Sequence, residues 1–276
     1  MERSALNKIH LSIVLGFLLS LLFCAQLWST DHSAPIIGLI SFSEPIPFVA
    51  VGFFMMLLLG IVFSKPFWKN LAVAFYIILA CLDYNFLQPY YYQYVLFLLV
   101  LGFKSPNIDK LKALQWIMIG TYVWSGVHKL HPDFIYVFPR IIAYAVNYQD
   151  WIASPWAYIA YILPLLELGL GLALMSKRYR NAAFKFLVVM HVWVILNASP
   201  LLLDWNYVII PWNLILIFQL FILFHNDARI TLPHHKTTKT MVLLVLILPL
   251  FNFIGLWPHY QSFDLYSGKS GFYSPA

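Results

Sequence analysis

Charge is scarce in this chain. Only 10% of its 276 residues are Asp, Glu, Lys or Arg, and 11 of those are acidic. So little charge cannot cover the surface of a water-soluble globule of this length. Cysteine is nearly absent too: Cys24 and Cys81 are the two present, each within an apolar run. That argues against a disulfide framework, CxxC redox chemistry and a thiolate metal site. The chain also lacks a Gly-x-Ser-x-Gly elbow, a Walker loop, a His-Glu-x-x-His helix and a dinucleotide fingerprint. Hydrolase, kinase and nicotinamide-oxidoreductase readings therefore have nothing to rest on. The 17 basic residues give a net charge of +6 but form no run long enough for a nucleic-acid footprint. No nucleic-acid partner is expected.

Apolar sequence is what the chain has in abundance: 62% of residues are hydrophobic and 18% aromatic, with a mean hydropathy of +0.77. A spanning helix needs about 20 apolar residues, and nine segments qualify, near 9–28, 47–64, 70–87, 90–104, 112–129, 155–175, 183–200, 206–225 and 240–257. The expected fold is all-α: a polytopic transmembrane bundle of about nine spans, forming one membrane domain over 1–276. Trp and Tyr gather near the ends of the runs, as at a membrane interface. The first run, Ile9–Trp28, is long for a signal peptide and has no clean small-x-small site after it, and Phe23 before Cys24 spoils a lipoprotein signal. It is read as a retained helix.

The basic residues orient the bundle. With the N-terminus in the cytoplasm, all but Lys129, Arg140 and Lys269 of the 17 fall on the inner side, as the positive-inside rule requires. The C-terminal tail then lies outside. The longer loops, 29–46 and 130–154, face outward, and the second is expected to hold a helix lying along the surface. Inner loops are short and basic, so any chemistry is expected to face out.

Polar groups within spans are costly and need partners or a function. Tyr122, Ser125 and Lys129 recur at i, i+3 and i+7, on one face of the fifth helix, with His128 beside them. This face reads either as the wall of a ligand site or as a packing surface, with Gly126 allowing close approach and Lys129 reaching to the interface. A lone outer amine is likewise either an anchor or a reactive base. Glu167 and His191 sit on consecutive helices, each 12 residues from Tyr179. A hairpin turning there brings them to similar depth, as a structural pair, a proton relay or half of a metal site. No further ligands follow from spacing, and His128-x-x-His131 alone does not make a zinc site. No metal is expected. Asn197, Asn206, Asn213 and Asn252 fall in outer helix halves, lining a polar cavity or forming interhelical hydrogen bonds. His234 and His235 read as solvated residues of an inner loop.

The segment Ser125-Gly-Val-His-Lys-Leu-His-Pro-Asp-Phe134 resembles the HTTM membrane domain, the bacterial relatives of vitamin K-dependent γ-carboxylase, in which a helix ends in Ala-Gly-x-x-Lys-Leu followed by an aromatic. The run Leu163-Pro-Leu-Leu-Glu-Leu-Gly-Leu-Gly-Leu172, a basic turn and a helix bearing His191 are similar to that family's next hairpin. The resemblance covers residues 110–225. DoxX/DoxD-like quinone-associated membrane proteins have a similar look. By motif position, the resemblance makes Lys129 the base that deprotonates a hydroquinone. A quinone cofactor is implied, its ring between Tyr122 and Trp124, with Ser125, His128, Asn197 and Asn213 positioning it and Glu167–His191 moving protons. A lysine desolvated in an apolar site can be tuned to such a role. The pattern departs from the carboxylase at His128 and at Phe134, where the carboxylase has Trp. No counterpart of its large lumenal region is found, so quinol deprotonation or oxidation is expected rather than carboxylation of a tethered glutamate.

The expectation is thus a multi-pass protein of the bacterial inner membrane, with lipid and a lipophilic small molecule as partners. The rival is a non-enzymatic scaffold or partner subunit for a membrane or secreted protein. A small-solute carrier is a third reading, without the Gly/Pro-broken helix symmetry of many transporters.

Overall fold

Proline and hydropathy explain where the helices begin. In the computed structural model, which describes residues 2–23, 52–53, 55–57, 59–60, 65–83, 86–132, 134, 159–201, 207–225 and 230–264, Pro66 and Pro89 occupy first-turn positions of their helices. There a missing N–H and a fixed φ do no harm. The helices are α1 (Glu2–Phe23), α2 (Pro66–Leu82), α3 (Pro89–Gly102), α4 (Asn107–Lys129), α5 (Ile159–Ala173), α6 (Arg180–Ala198), α7 (Ile209–Phe224) and α8 (Lys236–Ile247). Parts of 52–60 are helical as well, and the described residues contain no strand. Loops 29–46, most of 130–154 with its expected surface helix and Arg140, Asn206, and the tail with Lys269 lie outside the described residues.

Several helices start earlier than their apolar windows. Helices α1, α4, α6 and α8 take in Arg3, Lys110, Arg180 and Lys236. Lys and Arg are good helix formers whose long stems run along apolar surface, so the helix outlasts the hydrophobic stretch. The last segment stops being α-helical sooner, and Leu248–Ile254 is 3₁₀. Pro249 lacks the N–H for the α-helical ladder, and the tighter winding follows. Gly255 closes it at φ 73°, with its N–H donating to Asn252 O (3.0 Å) and that of Leu256 to Phe251 O (2.9 Å). Only glycine takes this conformation without strain.

Three helical segments, Glu2–Phe23, Arg180–Ala198 and Lys236–Ile254, are long and apolar enough to cross a membrane. The surface agrees: Leu22, Phe186 and Val189 are 76%, 63% and 64% exposed, whereas Gln93 and Gln219 are fully buried. The buried polar groups are bonded between distant helices. Trp212 Nε1 donates to Gln93 Oε1 (2.6 Å) and Gln219 Nε2 to Ser12 Oγ (3.2 Å). Phe17 packs against Phe53, Tyr91 and Tyr94, joining α1 and α3 in an aromatic core.

Helix α4 is central and contacts α1, α3, α5, α7 and α8. Its approach to α5 brings the two backbones themselves close. A Cβ on Gly126 would come within 2.5 Å of the Leu168 backbone N and 2.8 Å of Pro164 O, and one on Gly171 within 2.9 Å of Tyr122 Cβ. At the start of α4, the Asp109 carboxylate accepts the backbone N–H groups of His234 (3.1 Å) and His235 (2.9 Å). This ties the segment before α8 to α4 through its backbone, while the His234 side chain is exposed and that of His235 half-buried. Burial works to raise the Asp109 carboxyl, but the two N–H groups together with the nearby charges of Lys112 and His234 hold it below the usual carboxylate range.

Gly126→Leu should destabilise the protein in detergent by about 1–3 kcal/mol through overpacking. Gly169→Ala, with nothing within 4 Å of the added atom, should be neutral or slightly stabilising. Thermal unfolding of both variants checks the pair. Asp109→Ala should lose on the order of 2 kcal/mol, the value of hydrogen bonds to a charged group. Because the native carboxyl is lowered, its stabilisation is complete above the ordinary carboxylate value of about 4 and fades as pH falls through the native one. The gap between wild type and Asp109→Ala should therefore close on acidification below about pH 4.

Candidate functional site

The close α4–α5 contact brings charge together at the end of α4. Lys129 Nζ donates to Glu167 Oε2 at 2.5 Å and to Ser125 Oγ at 2.7 Å. The side chains of Lys129 and Glu167 are 15% and 12% exposed, so the pair is mostly shielded from water but not sealed. Among the described residues, two of the three ammonium hydrogens are engaged.

Two turns back along the same face, Tyr122 and His191 meet, with the Tyr122 hydroxyl 2.7 Å from His191 Nε2. His191 Nδ1 is 2.7 Å from Asn213 Oδ1, and Asn213 Nδ2 donates to Ile209 O at 2.8 Å. The last bond orients the amide, so its oxygen faces the ring and Nδ1 must carry the hydrogen. A neutral His191 then has Nε2 free to accept from Tyr122 O–H. The result is a directional chain, Tyr122 to His191 to Asn213 to Ile209, across α4, α6 and α7. All three side chains are at least 95% buried.

The expected Glu167–His191 pair is thus replaced by two separate groupings. Glu167 joins Lys129, and His191 joins Tyr122 and Asn213. Equal distance from the turn set a common depth, but side-chain direction decided the partners, and both groupings include residues of α4.

Other expected members separate from this face. Trp124 lies two residues from Tyr122, about 200° around a helix, and its ring is 5.7 Å from that of His128. The two aromatics therefore cannot sandwich a ring. His128 is buried against Phe253, 4.9 Å between ring centres, with Nδ1 3.9 Å from Asp264 Oδ2. Asp264 also pairs with His259 Nδ1 at 3.0 Å, and Asn252 Nδ2 lies 3.2 Å from that nitrogen. His128 thus belongs to a second cluster, built with the segment after α8. Asp264 and His259 escaped the sequence reading because no spacing rule joins residues so far apart in the chain. Asn197 donates to Trp193 O on its own helix (2.7 Å), and six residues from His191 puts it about 120° away around α6. Among the described residues, no three His, Cys, Asp or Glu side chains converge as a metal site would need.

No protein-family model, curated protein or solved structure matches this chain. The geometry alone carries the functional argument.

A double-mutant cycle on Lys129→Ala and Glu167→Ala should give a coupling of about 1–3 kcal/mol, because each single change strands a shielded charge. Additive losses in chemical denaturation would show that the ion pair contributes nothing. Tyr122→Phe should cost about 1–3 kcal/mol by orphaning His191 Nε2, read by the same unfolding measurement.

Proposed function

We propose that this chain is an HTTM- and carboxylase-like protein of the bacterial inner membrane, with an outward-facing site for a quinol or similar lipophilic ligand. The supporting observation is the Lys129–Glu167–Ser125 cluster ending α4, on the face that also carries the Tyr122–His191–Asn213 chain. In this reading the helices form about nine spans with the N-terminus in the cytoplasm. The separation of basic residues supports it, since all but three of the 17 then fall on the inner side.

The ion pair holds one mobile proton. With that proton on Glu167, the Lys129 amine accepts the hydroxyl proton of a bound quinol, leaving a quinolate and an ammonium. Ser125 orients the amine. The apolar surroundings exclude water and strengthen the attraction between ammonium and quinolate. Tyr122 and His191 provide a neutral hydrogen-bonded wall beneath the ligand. Trp124 has no part in holding the ring, and His128 acts through its own cluster.

A second reading fits the same ion pair. Engaged on two sides, Lys129 is a clamp between α4 and α5 in a non-enzymatic scaffold for a membrane or secreted partner.

Purification from native membranes separates the two. Solvent extraction of the wild-type protein should yield a near-stoichiometric quinone, measured by absorbance and mass spectrometry. Lys129→Ala should lose it by at least about tenfold while keeping its helical spectrum. A folded wild type without bound quinone, or a Lys129→Ala protein that retains it fully, would leave the clamp as the role of the pair.

A further inference from the structure

The chain after α8 folds back on the bundle. Residues 259–264 form a short strap built on a single 3₁₀ turn, Tyr260–Ser262. The strap packs on α3, with the Phe263 ring 5.7 Å from that of Tyr92. It also covers the end of α4, where His128 Nδ1 lies 3.9 Å from Asp264 Oδ2 and the Trp124 ring lies against His128. Gln261, Ser262, Phe263 and Asp264 are all buried.

Docking this strap is costly in three ways. Phe263 is left-handed, at φ 58°, while the Asp264 N–H closes the turn on His259 O at 3.1 Å. Glycine usually fills that position, and a bulky residue there is strained. Gln261 buries an amide whose nitrogen and oxygen both lack a hydrogen-bond partner among the described residues. The Asp264 side chain is wholly buried, and its Oδ1 is likewise unpartnered. Asn252 Oδ1 and Trp257 Nε1, at the root of the strap, are in the same condition. Each of these atoms would regain water if the strap lifted.

Burial of the Phe263 ring and a polar latch oppose these costs. His259 Nδ1 is 3.0 Å from Asp264 Oδ2, and because an ionised carboxylate only accepts, Nδ1 donates. Ser262 Oγ donates to Pro258 O (3.0 Å) and Asn252 Nδ2 to Trp257 O (2.9 Å). The His259 side chain is 44% exposed, so the latch sits at the surface while the carboxylate it holds is inside.

We propose that residues 259–264 are a lid that opens as a unit while the helices stay folded, with the His259–Asp264 bond as its latch. Backbone strain and orphaned polar atoms concentrated in one short segment give its docked state a small margin. Opening hydrates Gln261 and Asp264 and uncovers the α4 face of Trp124 and His128, next in sequence to Lys129. Trp124 Nε1 is also without a partner among the described residues, so the uncovered face offers a hydrogen-bond donor beside its rings. The lid rests on its own geometry and does not depend on quinol chemistry at Lys129.

Hydrogen exchange of the full chain in detergent, read by mass spectrometry on peptides covering 259–264, tests the lid. In the wild type this segment should exchange at least about a hundredfold faster than the middle of α4, because its opening is local. His259→Ala, at a half-exposed position, should speed the exchange about tenfold, as expected for the loss of one hydrogen bond to a charged group. Gln261→Met removes both orphan atoms at similar volume and should slow it about threefold. Exchange in α4 should stay at the wild-type rate in both variants. A second readout is Ser262→Cys in a chain also carrying Cys24→Ser and Cys81→Ser, labelled with a water-soluble maleimide. Adding His259→Ala should raise its labelling rate by the same factor as the exchange. Exchange of 259–264 as slow as that of α4 would overturn the proposal, as would an unchanged rate in His259→Ala. Equal acceleration of α4 in that variant, or faster exchange in Gln261→Met, would do the same.

Discussion

Two glycines set the contact on which the polar architecture depends. Gly126 on α4 and Gly171 on α5 leave no room for a side chain, since neighbouring atoms sit 2.5–2.9 Å from where a Cβ would be. Helices this close bring Lys129 and Glu167 within 2.5 Å, although 38 residues separate them. The same approach seats Tyr122 against α5 while its hydroxyl reaches α6. In apolar surroundings, packing of small residues and interhelical hydrogen bonds drive helix association, because little is gained by hiding one greasy face from another. The Lys129–Glu167 pairing is therefore a consequence of close packing, and the face read from the sequence is a packing face.

The bundle is apolar outside and selectively polar inside. Leu22, Phe186 and Val189 face outward, while Gln93, His191, Asn213 and Gln219 are buried and bonded across helices. Each bond satisfies a group that would otherwise be expensive to bury. These contacts also fix rotation and register between helices, which featureless Leu and Phe surfaces would leave loose.

The two ends of α4 carry different polar features. One end carries a shielded ion pair beside a neutral hydrogen-bonded chain, an arrangement suited to moving a proton. The other borders a cavity lined in part by Arg3, Lys69 and Lys110. Helix α4 is itself tied at its start by Asp109 to the segment before α8, so both ends belong to one rigid element. His128 adds a third feature, linking α4 to the residues after α8 through Asp264 and His259.

Much of the helical organisation was legible because hydropathy marks apolar runs directly: the described helices fall on those runs, and three helical segments are long and apolar enough to cross a membrane. Helix ends were less so, since Lys and Arg prolong helices beyond the apolar window and Pro249 ends α-helical geometry within it. The face of Tyr122, Ser125 and Lys129 was readable from its 3.6-residue period, which is a property of one helix. Pairing between helices was not readable. Equal depth suggested Glu167 with His191, but depth is one coordinate, and rotation about each helix axis sets the other. That rotation gave Glu167 to Lys129 and His191 to Tyr122 and Asn213, and it turned Trp124 and His128 away. The basic cavity was hidden for the same reason: Arg3, Lys69 and Lys110 are far apart in the chain and read singly as topological charges. Sequence alone determined that this is a helical chain with apolar surfaces and few, costly polar groups, because composition and periodicity are local. Only the tertiary structure decided which of those groups meet, because a polar side chain in an apolar bundle takes whatever partner helix packing brings within hydrogen-bond reach.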